Sequence, residues 1–322
     1  MNDLNAVVEV LRNEDNFLIT SHIRPDGDAV ASQLALHYIL RNLGKKVSII
    51  NQDPVPKNYT FLPNSNLIST NLKVKPDFNV SIILDCNDFG RIGEVYNLIK
   101  YSKLIINIDH HLGNGIGQLN LINSKASCVG EIIYQIAKSI PLKIDNTLAT
   151  FIYTTIITDT GSFRFSNTSA FTHQIASDLL SCQVIPSKIH NLIYENNTPG
   201  LIKLFTQCLS TLNLSCNKKV VTVFLTKEMT EKTRVKHIET EMVTNLLLSI
   251  ASVEIAIFLR EIGDNMVRVN FRSKNKFDVN KLARFFNGGG HRQSSGCIIE
   301  DSLKSVQNTL GKKVREYIYQ ES

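Results

Sequence analysis

The first half of the chain alternates short, unbroken apolar runs with longer stretches of helical periodicity. Residues 16–21 (NFLITS), 46–51 (KVSIIN), 80–85 (VSIILD) and 103–109 (KLIINID) are rich in Val, Ile and Leu and bounded by turn residues. A strand with no polar face needs cover on both sides, so these runs predict a parallel sheet sandwiched between helices. Residues 28–44 (DAVASQLALHYILRNLG) read as a helix ended by Gly44, with further helical patterns at 129–139, 145–158 and 169–182. Residues 79–111 read as one strand–helix–strand crossover unit.

The pattern breaks at 184–200 (VIPSKIHNLIYENNTPG), where Pro186, Pro199, Gly200 and the Asn196–Asn197 pair cluster. Strands then restart at 219–226, 253–262 and 266–273, with helices expected at 239–250, 279–286 and 303–318. The chain therefore divides into a domain over 1–185, a connecting segment over 186–213 with a helix at 200–213, and a smaller domain over 214–322. The fold class is α/β: an N-terminal, mostly parallel sheet flanked by helices, then a smaller C-terminal α/β domain with a mixed sheet. There is neither an internal repeat nor a low-complexity tract.

Composition narrows the function classes. At 322 residues, 43% hydrophobic and 20% charged, the chain is long enough for two cores. No apolar run approaches the ~20 residues of a membrane span. The segment MNDLNAVVEVLRNEDNF carries acids where a secretory signal would carry basic residues. Six cysteines without a C-x-x-C pair suit reduced thiols, and together these features predict a cytoplasmic protein. The net charge of +6 fits a small anionic substrate and falls short of the basic stripe of a long-duplex-DNA binder. Nor do 7% aromatics without Trp make a stacking platform for long single strands.

The candidate chemistry lies where strands end. SHIRPDGDA follows the first run, LDCND ends another and NIDHH ends a third, while IITDTGSFRF places Asp159 at the end of an apolar helix before Gly161. Ligand sites of open α/β sheets form beyond the carboxyl ends of the strands, which would gather His22, Asp26, Asp28, Asp85, Asp109, His110 and His111. Crowded carboxylates repel unless cations neutralise them. Mixed imidazole and carboxylate donors suit Mn²⁺, Fe²⁺ or Zn²⁺ more than Ca²⁺, and their number suits two ions that handle a phosphoryl group between them. Each residue also has a plainer reading. Asp28 or Asp85 alone could cap a helix or form a turn, and Asp109 could orient a histidine without touching metal. His37, His173, His190 and His237 lack acidic company and read as structural. LGNGIGQL (112–119) opens no helix and is no dinucleotide fingerprint.

At these residues the chain resembles the DHH phosphoesterase superfamily. Its motifs stand here as HIRPDGDA (22–29), LDCND (84–88), DHH (109–111) and TDTGSFRF (158–165), followed by FRS (271–273) and GGGHRQSSG (288–296). The resemblance implies two divalent cations, usually manganese. His22, Asp26 and Asp85 would hold one, and Asp28, Asp85, His110 and Asp159 the other, with Asp85 bridging. His111 would face the substrate as a catalytic group together with Asp85, and Asp109 would stand behind the ligands. Arg272, Gly288, Gly289, Gly290 and His291 would bind substrate, in a cleft between the domains. Three successive glycines also permit a close backbone approach to phosphate, or simply a flexible turn. Arg91 reads equally as a phosphate contact or a surface residue. Ser294 and Ser295 stand where the family often has alanines, which bears on substrate preference.

The compact two-domain length is similar to that of the nano-RNase and 3′-phosphoadenosine-5′-phosphate (pAp) phosphatase group. That implies hydrolysis of two- to five-nucleotide oligonucleotides, or removal of the 3′-phosphate of pAp, by a hydroxide activated between two metals. Cyclic di-AMP or pApA hydrolysis is the enzymatic alternative, and a non-catalytic nucleotide sensor the alternative of another class. The resemblance is also compatible with a homodimer.

Overall fold

A computed structural model describes residues 3–233, 235, 240–274 and 277–321. The chain divides after Asn196 into two compact units.

The first unit is built on six strands: β1 (Asn16–Thr20), β2 (Lys46–Ile50), β3 (Ile68–Ser69), β4 (Val80–Leu84), β5 (Leu104–Asp109) and β6 (Leu119–Ile122). Their order is β3-β2-β1-β4-β5-β6, and every neighbouring pair is parallel. The chain thus leaves from the middle of the sheet, builds outward one way, and returns to build the other way from β4. That reversal puts a topological switch point between β1 and β4.

The unbroken apolar runs are explained by burial on both faces. Phe17, Ile19, Ile82 and Ile106 enter one core with the helices Asp3–Asn13, Gly27–Asn42, Val129–Lys138, Asn146–Asp159 and Ala170–Ser181. Leu18, Ile83 and Ile105 enter the opposite core with Ile92, Val95 and Ile99. Burying each such side chain is worth roughly 1.5–3 kcal/mol, so a register slip of one residue would gain nothing and break the ladder. The crossover between β4 and β5 is not the regular helix that periodicity predicts. It is a 3-10 segment, Phe89–Val95, kinked at Gly93 (φ 64°), then one short turn, Tyr96–Ile99. Gly90 and Gly93 explain the difference, since glycine weakens a regular helix.

The segment expected to connect the domains is divided differently. The helix Pro186–Tyr194 belongs to the first unit, because Ile189 and Ile193 are buried in its core. The helix Pro199–Ser210 belongs to the second, where Leu204 and Cys208 are buried. Proline here marks the first turn of each helix, a position that needs no backbone N–H.

The second unit carries β7 (Asn213–Ser215), β8 (Val220–Leu225), β9 (Ile255–Gly263), β10 (Met266–Ser273), β11 (Gly289–His291) and β12 (Ser294–Ile299), in the order β11-β12-β10-β9-β8-β7. Only β8–β9 is parallel, so this sheet is mixed. The helices Val279–Arg284 and Leu303–Glu321 cover one face. Pro199–Ser210 and Thr240–Leu248 contribute to the core on the other. Along β10, Val267, Val269 and Phe271 point into the first of these cores while Arg268, Asn270 and Arg272 take the alternate positions. No helix among the described residues is long and apolar enough to cross a membrane, and all six cysteines are free.

Candidate metal centre

Three loops leave the carboxyl ends of β1, β4 and β5 at the switch point, and each delivers part of one cluster. After β1 come His22, Asp26 and Asp28. Asp26 caps the helix Gly27–Asn42 by accepting from Ala29 N at 3.0 Å through Oδ1, leaving Oδ2 facing His22 Nε2 at 3.8 Å. Asp28, in the first turn of that helix, is wholly buried. Its Oδ1 accepts from Ser32 Oγ at 2.9 Å and its Oδ2 from Val129 N at 2.8 Å.

Asp85 follows β4 with a left-handed backbone, φ 54°. For a residue with a Cβ that conformation is costly and persists only where its surroundings enforce it. Asn107 is part of that enforcement. Fully buried on β5, its amide donates to Ile83 O at 3.1 Å and Cys86 O at 3.0 Å, clamping the turn from both sides. Sequence reading missed Asn107, although a lone amide inside an apolar strand is a visible signal.

The third loop begins at Asp109. Its Oδ1 accepts from His110 N at 2.7 Å, His111 N at 3.1 Å and His111 Nδ1 at 2.8 Å. One carboxylate oxygen therefore orients both histidines. Asp159 arrives from elsewhere, as the last residue of the helix Asn146–Asp159. A negative charge there faces the negative pole of the helix. Asn167, also missed in the sequence, donates to both Asp159 O and Ser127 O at 3.1 Å.

The donors converge in three sets: His22, Asp26 and Asp85; Asp28, His110 and Asp159; and Asp85, Asp109, His110 and His111. Asp85 joins them. Its Oδ2 lies 3.3 Å from His22 Nε2, and its Oδ1 lies 3.5 Å from His110 Nε2 and 3.4 Å from His111 Nδ1. His110 Nε2 lies 3.2 Å from Asp159 Oδ2 and 3.8 Å from Asp28 Oδ2.

Electrostatically the cluster calls for positive charge. Burial, with Asp159 and Asp85 nearby, pushes the Asp28 carboxyl well above the usual range. Burial likewise lifts Asp159 to about 6 against the pull of His110. Burial works against charged imidazoles, yet Asp26 and Asp85 raise His22 to about 10, and Asp159 and Asp85 raise His110 to about 12. Burial also opposes ionisation of Asp85, but the flanking His110 and His22 hold it below the usual carboxylate range. Protons on two histidines thus occupy the role that cations would fill. Asp85 Oδ1 is buried and accepts no hydrogen bond, a costly state for a carboxylate oxygen unless something else binds it. The mixed N/O donor set and this orphaned oxygen fit divalent transition-metal ions.

The comparisons with known proteins agree with this geometry. Residues 16–156 match the model of the "DHH family, N-terminal domain", and residues 216–320 match that of the "DHHA1 domain". The chain carries a DHH-family N-terminal domain followed by a DHHA1 domain. It is 27% identical over 316 residues to the bifunctional oligoribonuclease and PAP phosphatase NrnA of Thermus thermophilus, covering 97% of this chain and 94% of that one. Among solved structures, an exopolyphosphatase-related protein from Bacteroides fragilis superposes with a TM-score of 0.90 at 27% identity, covering 98% of this chain and 97% of that one. RecJ from Thermus thermophilus, in complex with Mn²⁺, shares the fold at a TM-score of 0.55 and 11% identity, covering 99% of this chain and 54% of that one.

The remaining candidate residues of this chain are spread more widely. Arg91 is exposed on the 3-10 segment. Its carbonyl accepts from Ile23 N at 2.6 Å, tying that segment to the loop after β1. Arg272, Gly288, Gly289, Gly290 and His291 all lie in the DHHA1 domain. In the sheet register Arg272 pairs with Ser294, and Ser294 pairs with His291. Directly opposed residues share a face, so the three form one row across β10, β12 and β11. Ser295 turns the other way and donates to Val279 O at 2.7 Å. Gly289 and Gly290 lie in β11, paired with β12, and Gly288 immediately precedes them. A Cβ on Gly288 would lie 2.3 Å from Gly296 O, and one on Gly290 (φ 143°) 2.6 Å from Ser294 O, whereas Gly289 has open space. Two of the three glycines are therefore explained by tight hairpin pairing. His173 stacks on Phe163 with ring centroids 5.0 Å apart, and His190 packs on Tyr194. His37 is partly buried in the helix Gly27–Asn42, and His237 lies outside the described residues.

Proposed function

We propose that this DHH-domain protein hydrolyses short oligonucleotides of two to five residues and removes the 3′-phosphate of pAp, using two divalent cations, Mn²⁺ foremost. The carrying observation is Asp85. It shares one donor set with His22 and Asp26 and approaches the Asp28–His110–Asp159 set through its other oxygen. A carboxylate so placed would bridge two ions, His22 and Asp26 completing one site and Asp28, His110 and Asp159 the other. Bound there, such cations would activate a water and neutralise charge on the phosphoryl oxygens. The named activities of the Thermus relative, oligoribonuclease and PAP phosphatase, support the substrate class.

The chain's own groups suit the remaining work. His111 is partly exposed, and its Nδ1 faces Asp109 at 2.8 Å. That hydrogen bond, opposed by burial, raises the imidazole above its ordinary value. It also leaves Nε2 as the nitrogen able to donate to a phosphoryl oxygen or to protonate a leaving oxygen. Asp109 is then a positioning group. The row Arg272–Ser294–His291 would hold the rest of the nucleotide through charge and hydrogen bonding.

The test is a substrate panel with Mn²⁺: labelled di- to pentanucleotides, a 24-mer, pAp, pApA and cyclic di-AMP. Turnover concentrated in the short oligonucleotides and pAp is expected, and preference for the 24-mer or for cyclic di-AMP overturns the reading. Asp85→Asn should abolish hydrolysis with the fold retained; unchanged activity refutes the bridging role.

A further inference from the structure

A groove of about 560 Å³ is lined by residues of the second unit alone. That volume is within the ~300–1,000 Å³ of small-molecule sites. One wall is the face of β8 and its neighbours. Thr222 pairs in register with Asn213 on β7 and Ile257 on β9, and Phe224 is two residues further along the same face. The other wall is the helix Leu303–Glu321, presenting Gln307, Gly311, Lys312 and Arg315. Helical spacing puts 307, 311 and 315 in one line.

The lining is chemically asymmetric. Half-buried Phe224 supplies the accessible apolar floor over the buried Ile257 and Leu310, while Thr222 and Gln307 supply hydroxyl and amide groups engaged in no side-chain hydrogen bond among the described residues. Lys312 and Arg315 are the charged members of the lining, which includes no carboxylate. On the same helix Lys313 is neutralised by Glu316 at 2.8 Å, but Lys312 and Arg315 have no ion-pair partner among the described residues. Gly311 stands inside the helix, where glycine forfeits stability that alanine would supply. A Cβ there would meet nothing within 4 Å, so no packing constraint demands the glycine. Its missing side chain keeps the groove open.

We infer that this groove is a second ligand site, for a nucleoside monophosphate. The floor takes the flat heterocycle, the amide and hydroxyl groups meet its polar edge, and Lys312 and Arg315 take the phosphate. The inference is independent of the reading given to the metal centre.

Amide and methyl NMR of the full chain, titrated with AMP, tests it. The resonances of Thr222, Leu310 and Val314 should shift saturably with a Kd at or below ~1 mM. Adenosine and inorganic phosphate should each bind at least about tenfold more weakly. Lys312→Ala combined with Arg315→Ala should weaken AMP at these resonances about tenfold or more, and Gly311→Leu should abolish the shifts while hydrolysis is retained. The inference fails if AMP at ~10 mM leaves these resonances unmoved. It fails equally if phosphate alone binds as tightly as AMP, if the double substitution changes nothing, or if folded Gly311→Leu protein binds AMP as before.

Discussion

Gly27 sits between two acids of the metal centre, and its substitution by alanine probes how the centre is held. A Cβ at position 27 would lie 2.4 Å from Thr158 Cγ2 and 2.8 Å from Thr158 Cβ and Oγ1. Carbon atoms in good contact stand ~3.5–4.0 Å apart, so about 1 Å or more must be found. Thr158 cannot simply rotate away, because its Oγ1 donates to Thr154 O at 2.9 Å and to Thr155 O at 3.0 Å. Overpacking of this kind costs ~1–3 kcal/mol, and removing a helical glycine returns roughly 0.5–1 kcal/mol. A net loss of about 1–2 kcal/mol is expected, or a fall in Tm of roughly 2–8 °C for a unit of this size. The clash also pushes Asp26 and Asp28 away from Asp159, the neighbour of Thr158. Mn²⁺ affinity should therefore fall about 10–100-fold, the scale seen when groups supporting metal ligands are disturbed. Thr158→Ala removes two of the three clashing atoms. In a double-mutant cycle it should recover at least about 0.5 kcal/mol of the loss. Thermal unfolding and Mn²⁺ titration of the four proteins are the assays. If Gly27→Ala is as stable as the parent and additive with Thr158→Ala, the helix contact does not set the spacing of the acids.

Three further outcomes follow from the same geometry. His22 is raised to about 10 in the cation-free protein. Its stabilising contribution is whole below the unfolded value near 6.5 and is lost as pH rises through about 10. Chelated protein should therefore lose Tm between pH 7 and 10, and Mn²⁺ should flatten that slope; identical slopes with and without chelator refute the pairing. Asp109→Asn should lower the basicity of His111 and shift the alkaline limb of the kcat profile down in pH, with a smaller effect on KM, whereas a purely structural role would leave the profile in place. In the DHHA1 domain, Gly290→Ala should destabilise by about 1–3 kcal/mol through its positive φ and its clash with Ser294 O, while Gly289→Ala should stay within about 0.5 kcal/mol; chemical denaturation ranks the pair.

Both sheets were legible in the hydrophobic pattern wherever strands are long and buried. β1, β4 and β5 read directly from runs such as VSIIL because both faces meet apolar partners. The short strands β3 and β7 carry too few residues to show a period, and β6 is only partly buried along its length. The helix Pro186–Tyr194 looked like a linker because Pro186, Pro199, Gly200 and the Asn196–Asn197 pair cluster at and beyond it, whereas its allegiance is decided by Ile189 and Ile193. In the metal centre, residues bearing charge announced themselves at strand ends. The groups that hold them stood out less: Ser32 is one helical turn from Asp28, Asn107 shows only as a lone amide in an apolar strand, and the contacts of Asn107 with Ile83 and Cys86 and of Asn167 with Ser127 join residues 21 to 40 apart in the chain.

The hairpin of β11 and β12 has one more consequence. Only Arg292 and Gln293 separate His291 from Ser294, so the alignment of three strands hangs on a loop of two residues. Strand side chains alternate between faces, so inserting or deleting one residue in that hairpin would invert the parity of every position beyond it. Ser294 would exchange places with Ser295, and the row shared with Arg272 would dissolve though no residue in it had been replaced. In this chain the spelling of the glycine motif matters less than its length.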